Sequence, residues 1–230
     1  MARILVVEDH RDVRRLLVEA LSADGYETTV AADGLEARRA LESAGDRYPF
    51  ELVVLDLMLP YVDGSVLLQE LRRRSDVPVL VLSAKDAVVT KIDILRLGAD
   101  DYVTKPFDLA EVSARVGVLL RRTKQPDSGL RVLRHGDLEL DVSGARASVA
   151  GHEVPLTATE QRILGLLMEM PGRVHSRSAI YESVWGEPFV GDHGAVKTHV
   201  SNLRAKLRVA DPGTEHIETV WGLGYRAPRL

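Results

Sequence analysis

Five residues of this chain have types and settings that suggest chemistry: Glu8, Asp9, Asp56, Ser83 and Lys105. Asp56 interrupts the apolar run "ELVVLDLMLP" (51–60), where an ionised carboxylate is costly to bury because it gives up its hydration. Glu8-Asp9 follows the apolar Ile4–Val7, Ser83 follows Val79–Leu82, and Lys105 precedes Pro106. Three carboxylates held at one place repel, and a divalent cation is the usual compensation. Hard oxygen donors with some water favour Mg²⁺ over softer metals. A lysine ammonium and a serine hydroxyl beside them can take the oxygens of a phosphoryl group, leaving Asp56 as its nucleophilic acceptor. Taken singly, Asp56 is equally a turn former, Glu8-Asp9 a helix cap, and Lys105-Pro106 a tight turn with a cis bond. Their force lies in meeting at one edge.

The elements that would bring them together follow from hydrophobic periodicity. Ile4–Val7, Leu52–Leu55 and Val79–Leu82 are apolar throughout, and Glu27–Ala31 and Asp101–Thr104 are weaker strand candidates. Helical stripes lie between them: Val13, Leu16, Leu17, Ala20 and Leu21; Val66, Leu67 and Leu71; Ile92, Leu95 and Leu97, stopped by Gly98; and Leu109, Val112, Val116 and Leu119 or Leu120. Apolar strands separated by helices imply a parallel sheet covered on both faces, here five βα units. Ligands of such sheets bind beyond the carboxyl ends of the strands, where the five residues fall.

After "TKQPDSGLR" (123–131), polar and broken by Pro and Gly, the pattern changes. Leu138–Leu140 and Arg146–Val149 read as short antiparallel strands. Thr157 or Thr159 can cap a helix with the stripe Ile163, Leu166, Leu167 and Met170, stopped by Pro171-Gly172. A second helix starts at Ser176, a third runs from about Gly194 to Arg208, and "IETVWGLGYRA" closes a hairpin around Gly222–Gly224. Three helices and a hairpin make a winged helix-turn-helix pattern. The third helix lies in "HGAVKTHVSNLRAKLRVA" (193–210), which holds Lys197, His199, Arg204, Lys206 and Arg208 and no acid. Val196, Val200, Leu203 and Leu207 would anchor it, leaving Lys197, Ser201, Asn202 and Arg204 to face a major groove.

Composition sets limits. With 45% hydrophobic and 28% charged residues, the chain has an ordinary globular make-up. It has no cysteine, which removes disulfide and thiol chemistry. Neither a signal-like start nor a membrane-length apolar run is visible, and the chain reads as cytoplasmic. Residues 1–122 carry 17 Lys and Arg against 21 acids, and residues 123–230 carry 13 of each. Any nucleic-acid surface is therefore a local arrangement.

The stretches "LVVEDH", "LVVLDLMLPYVDG", "VLVLSAKD" and "GADDYVTKPF" resemble the receiver domain of bacterial response regulators over residues 1–122. The resemblance implies phosphorylation of Asp56 by a sensor histidine kinase. It implies Mg²⁺ on Asp9, Asp56 and the backbone carbonyl of Met58, with Glu8 acting through water. Ser83 and Lys105 would hold the phosphoryl oxygens, with Tyr102 as aromatic switch. "LTATEQRILGLLM", "SRSAIYESVWG", "VKTHVSNLRAKL" and "IETVWGLGYR" make residues 132–230 similar to the winged helix-turn-helix effector of the OmpR/PhoB family, joined by the linker 123–131. That implies a transcription regulator bound to tandem double-stranded DNA sites. It places Arg177, Trp185, His199, Arg204, Trp221 and Tyr225 with Lys197, Ser201 and Asn202 at the DNA, and a loop after Trp185-Gly186 at RNA polymerase. It also implies a homodimer strengthened by phosphorylation, with Lys91 opposite Glu111 and Asp101 opposite Arg115 around Leu95 and Ala114. Gly117 stands where a basic mate for Asp100 is usual.

Two other readings compete. An aspartyl phosphatase of the haloacid dehalogenase type needs a second Asp two residues after the nucleophile, where this chain has Met58. A DNA-binding regulator that is never phosphorylated would not need the five pocket residues.

Overall fold

The computed structural model describes residues 1–42, 49–84, 91–124, 131–142, 144, 146–186, 189 and 193–229, with backbone alone at 84, 91, 92, 121–124 and 193. The chain divides into two compact units, Met1–Lys124 and Gln125–Leu230.

In the first unit, β1 (Arg3–Val7), β2 (Glu27–Ala31), β3 (Leu52–Asp56), β4 (Val79–Ala84) and β5 (Asp101–Lys105) form one parallel sheet in the order β2-β1-β3-β4-β5. The helices α1 (Arg11–Ala23), α2 (Gly34–Glu42), α3 (Gly64–Arg72), α4 (Lys91–Arg96) and α5 (Leu109–Lys124) alternate with the strands. This is a flavodoxin-like, doubly wound fold. β1, β3 and β4 are apolar because both their faces are covered, with Ile4, Val6, Leu52, Val54, Leu80 and Leu82 all in one core. Within the helices the buried stripe is narrower than the sequence pattern suggests. Leu17 and Leu21 are buried while Leu16 is 41% exposed, and Val66 is exposed beside buried Leu67, Leu68 and Leu71. Gly98 ends α4 with φ 102°, the left-handed conformation of a helix C-terminus. α5 continues through Lys124, two residues into the stretch read as linker, and residues 125–130 lie outside the described residues.

Asp100, expected at a surface and short of a partner, is instead fully buried. Its carboxylate accepts from Arg72 Nη2 at 2.7 Å and from the backbone N–H of Val79 at 2.9 Å. Arg72 also donates to the carbonyls of Gly98, Ser75 and Val77, which fastens the end of α3 to the starts of β4 and β5.

The second unit is an α+β winged helix. A four-stranded antiparallel sheet comes first, β6 (Val132–His135), β7 (Leu138–Asp141), β8 (Arg146–Val149) and β9 (His152–Val154). The sequence pattern predicts only its two middle strands. The outer ones were missed because "VLRH" and "HEV" are short and half polar. Three helices follow, α6 (Ala158–Glu169), α7 (Arg177–Trp185) and α8 (His193–Ala210), and then the hairpin of β10 (Glu218–Val220) and β11 (Gly224–Arg226). Thr157 caps α6 in a reciprocal box with Glu160, and Ser176 caps α7. The buried face of α6 is Ile163, Leu164, Leu167 and Met168; Met170, expected in the stripe, is exposed beyond the helix end. Val196, Val200, Leu203 and Leu207 anchor α8 as its spacing predicts. Among the described residues, no helix is long and apolar enough to cross a membrane.

Candidate functional site

The order β2-β1-β3-β4-β5 reverses direction at β1 and β3, and the crevice beyond their carboxyl ends receives the side chains that follow each strand. Glu8 leaves β1 and is fully buried, Asp9 next to it is exposed, and Asp56 ends β3 almost fully buried. Carboxylate oxygens of these three lie within 4.8 Å of one another. Lys105, at the end of β5, crosses to meet two of them. Its ammonium donates to Glu8 Oε2 at 2.7 Å and Oε1 at 3.0 Å, and to Asp56 Oδ2 at 2.6 Å. Ser83 is buried one residue beyond Leu82, the β4 partner of Asp56. Tyr102 is half-buried on β5.

The backbone fixes this crevice. The guanidinium of Arg14 donates to the carbonyls of Glu8 and Asp9, which pins the turn into α1. Asp56 Oδ1 accepts from the Met58 N–H at 3.0 Å, so the loop after β3 curls back over the carboxylate with the Met58 side chain outside. Gly64 lets α3 begin against that loop, since a Cβ there would overlap the carbonyl oxygen of Asp56. The Lys105-Pro106 bond is cis.

Burial pushes the Glu8 carboxyl above its usual 4.5, against the lowering effect of Lys105, and repulsion from Asp56 adds to the rise. Burial alone would lower the Lys105 ammonium, but its hydrogen bonds to Asp56 and Glu8 prevail and raise it above 10.5. Three carboxylates facing one ammonium leave the pocket with excess negative charge. Two of them are inward and one is open to water. That all-oxygen donor set fits Mg²⁺ and would hold it through Glu8, Asp9 and Asp56.

In the second unit the residues expected at DNA separate into two groups. Lys197 and Ser201 are exposed on α8, Asn202 is half-exposed beside them, and Arg177 and Trp221 are exposed. Three others are turned inward. Trp185, 2% exposed, stacks on Tyr181 at 5.0 Å, and Phe189 meets that tyrosine edge-on at 5.4 Å. His199, 1% exposed, lies 5.6 Å from the Trp185 ring. Tyr225 is buried in β11. Apolar packing between α7 and α8 explains the first two: the indole and imidazole fill that seam instead of facing a groove. Residues 187, 188 and 190–192, where a polymerase loop is expected, lie outside the described residues.

Arg204 faces the hairpin. Nε donates to the Ile217 carbonyl at 3.0 Å and Nη2 to Thr219 Oγ1 at 2.9 Å, with the guanidinium carbon 5.5 Å from the Tyr225 ring centre. Lys206 is also committed, to buried Glu160 at 2.7 Å. The T-x-x-E capping box in "TATE" could have revealed Glu160 as buried and structural. No local pattern signals its lysine, 46 residues on.

The expected dimer residues are placed as follows. Asp101 accepts from Arg115 Nη1 at 2.7 Å and Glu111 from Arg115 Nη2 at 3.0 Å, both within one chain. Ala114 is exposed between them in sequence, but Leu95 is buried core and not part of a surface patch. The Lys91 side chain lies outside the described residues.

Comparison with known proteins agrees with this architecture. Residues 4–117 match the response regulator receiver domain family, and residues 151–227 match the family described as transcriptional regulatory protein, C terminal. The sensory transduction protein RegX3 of Mycobacterium tuberculosis is 39% identical over 228 residues, covering 98% of this chain and 99% of that one. The alkaline phosphatase synthesis transcriptional regulatory protein SphR of Synechococcus elongatus is 41% identical over 233 residues, covering 98% and 90%. Among solved structures, the response regulator DrrB, a Thermotoga maritima OmpR/PhoB homologue, aligns over 100% of both chains at 28% identity with a TM-score of 0.51. A RitR mutant aligns over 99% of both at 23% identity and a TM-score of 0.76, a likeness of fold alone. With both domains matched and relatives alike over nearly its whole length, the chain belongs to the OmpR/PhoB-type response regulators, two-component transcription regulators that join a receiver to a DNA-binding domain.

Proposed function

We propose that residues 1–122 form a receiver phosphorylated on Asp56 by a sensor histidine kinase, and that residues 132–230 carry the resulting signal to DNA. The observation that supports this most is the crowding of Glu8, Asp9 and Asp56 around the one ammonium of Lys105. An Asp56 oxygen attacks the phosphorus as the phosphohistidine P–N bond breaks, giving an acyl phosphate. Bound Mg²⁺ would neutralise charge on the transferring group. Lys105 then exchanges a carboxylate oxygen for a phosphoryl oxygen, and the Ser83 hydroxyl donates to another. Tyr102 lies on β5 with Asp101, so movement in the pocket has a short route to the Asp101–Arg115–Glu111 cluster on β5 and α5. Exchange of those ion pairs for contacts with a second copy would couple phosphorylation to a dimer on tandem sites. Lys197, Ser201 and Asn202 would read bases there. Arg204 keeps the hairpin beside α8 and, among the described residues, has Nη1 left for a phosphate.

The test is incubation of the full chain with Mg²⁺ and acetyl phosphate, with mass mapping of added phosphate and retention of duplexes from a random pool. We expect one phosphate on Asp56, none in Asp56→Asn, and stronger duplex retention by the phosphorylated chain. Equal labelling of Asp56→Asn would refute the assignment.

A further inference from the structure

β1 passes into α1 through Glu8, Asp9 and His10, and the first two carry carboxylates of the acidic crevice. Side-chain capping does little to fix this turn. His10, at the N-cap, makes no capping hydrogen bond, and Glu8 Oε1 takes the His10 N–H at a long 3.3 Å. Arg14 holds the turn from behind. Its Nη1 donates to the Glu8 carbonyl at 2.6 Å and to the Asp9 carbonyl at 3.0 Å. The backbone N–H of Arg14 closes the first turn of α1 on the His10 carbonyl at 2.9 Å. Long side chains on a helix lean towards its N-terminus, so the guanidinium is delivered to those two oxygens.

A planar peptide carries its carbonyl and the adjoining Cα atoms together, so fixing where the carbonyl points also fixes where the side chain leaves the backbone. With both carbonyl oxygens taken by one half-buried arginine, the turn has little freedom to swing either carboxylate out of the crevice. Glu8 is also held by Lys105, so the exposed Asp9 depends on the turn most. Two cations of equal charge would feel a loosened turn differently. Mg²⁺ demands near-ideal octahedral oxygen geometry, whereas the larger Ca²⁺ accepts more ligands in flexible arrangements.

We propose that Arg14 is a positioning residue for the cation site: by gripping the Glu8 and Asp9 carbonyls it holds their carboxylates in the arrangement that Mg²⁺ requires, and so favours Mg²⁺ over Ca²⁺. This rests on the cation-binding reading given above and deepens it to what sets the choice of cation. The sign of the effect separates this role from a purely electrostatic one. A guanidinium near the crevice repels a second cation, so if its charge were all that mattered, removing it would tighten Mg²⁺ binding. If it positions the ligands, removing it loosens Mg²⁺ binding, as loss of an outer partner of metal ligands does.

The experiment titrates the full chain with MgCl₂ and, separately, with CaCl₂ in a calorimeter, and records melting in chelator as a control for folding. Arg14→Met is expected to weaken Mg²⁺ binding about tenfold or more and Ca²⁺ binding less, so that the ratio of the two affinities falls. Arg14→Lys, which keeps the charge and a donor, should recover part of the loss, and it carries the comparison if Arg14→Met fails to fold. Arg15→Met removes an equal charge one residue along, from a side chain that pairs with Glu19, and should leave both affinities near those of the wild type. The Mg²⁺ concentration that half-saturates labelling of Asp56 by acetyl phosphate should rise in Arg14→Met, with full labelling regained at high Mg²⁺. Tighter Mg²⁺ binding by Arg14→Met would overturn the proposal in favour of charge alone. Unchanged affinities with a lower melting temperature would overturn it in favour of a merely structural contact, and equal weakening of both cations would overturn the selectivity. In each of these cases the cation-binding reading stands. Mg²⁺ binding by the wild type no stronger than by Asp9→Asn would overturn both.

Discussion

Glu8 in the first unit and Glu160 in the second are both buried, and each takes a lysine ammonium at 2.7 Å. Their surroundings make the contacts unlike. Among the described residues Glu160 meets the ammonium of Lys206 and also accepts the Thr157 N–H at 2.9 Å, so a negative and a positive charge meet at a helix start. Glu8 shares Lys105 with Asp56, and Asp9 stands within reach of both. A balanced pair holds α6 to α8, whereas an unbalanced cluster keeps a place for another positive charge. Distance alone does not separate structure from function here. The count of charges does.

The largest effect that bears on this contrast comes from breaking the balanced pair. Lys206→Met leaves Glu160 buried without its cation. Loss of one partner of a buried pair typically costs about 3–5 kcal/mol, and the partial exposure of Lys206 puts the expected loss near the lower figure. Both tryptophans lie in the second unit, so their emission in urea reports that unit selectively. An unchanged midpoint would show that the Glu160–Lys206 contact contributes nothing to holding α8.

Removing a charge from the unbalanced cluster should act in the opposite direction. The Glu8 carboxyl is raised above 4.5 in the folded chain. The stability it lends is therefore complete below 4.5 and is lost as pH rises through the folded value. At neutral pH its ionised form is a net cost, and Glu8→Gln should stabilise the first unit in chelator. Mg²⁺ should raise the wild-type melting temperature and raise that of Glu8→Gln less. Calorimetry of the full chain checks both, and a variant less stable than wild type in chelator would mean that the two Lys105 bonds outweigh the crowding.

The same contrast explains what could be read from sequence. β1, β3 and β4 were visible because strands buried on both faces are apolar along their whole length, and the residues that follow them were thereby placed at one edge. The α8 anchors were visible because their spacing is helical. Burial of Trp185, His199 and Tyr225 was not visible: an aromatic ring has the same sequence signature whether it stacks on Tyr181 or faces a groove. Nor was the tie from Arg204 to the Ile217 carbonyl, because a guanidinium that braces a hairpin and one that waits for a phosphate are the same letter. Partners distant in sequence, such as Arg72 with Asp100, carry no local signal, and Gly117 points away from the actual mate of Asp100.

The smallest effect concerns a buried group with neither kind of partner. The His175 ring is buried, and among the described residues its Nε2 has no hydrogen-bond partner. Burial and then the positive charge of Arg173 hold its pKa below 6.5, opposed by Glu169. The folded chain binds that proton less readily than the unfolded chain. The stability from His175 is therefore full above 6.5 and is lost as pH falls through the folded value. Glu8 works the other way, losing its contribution as pH rises above 4.5. Acidification from pH 7.5 to 5.5 should thus weaken the second unit relative to the first. Tryptophan-detected urea midpoints at the two pH values measure the drop, and His175→Gln should reduce it whatever the variant's absolute stability. An equal drop in His175→Gln would show that His175 is not the source of the acid sensitivity.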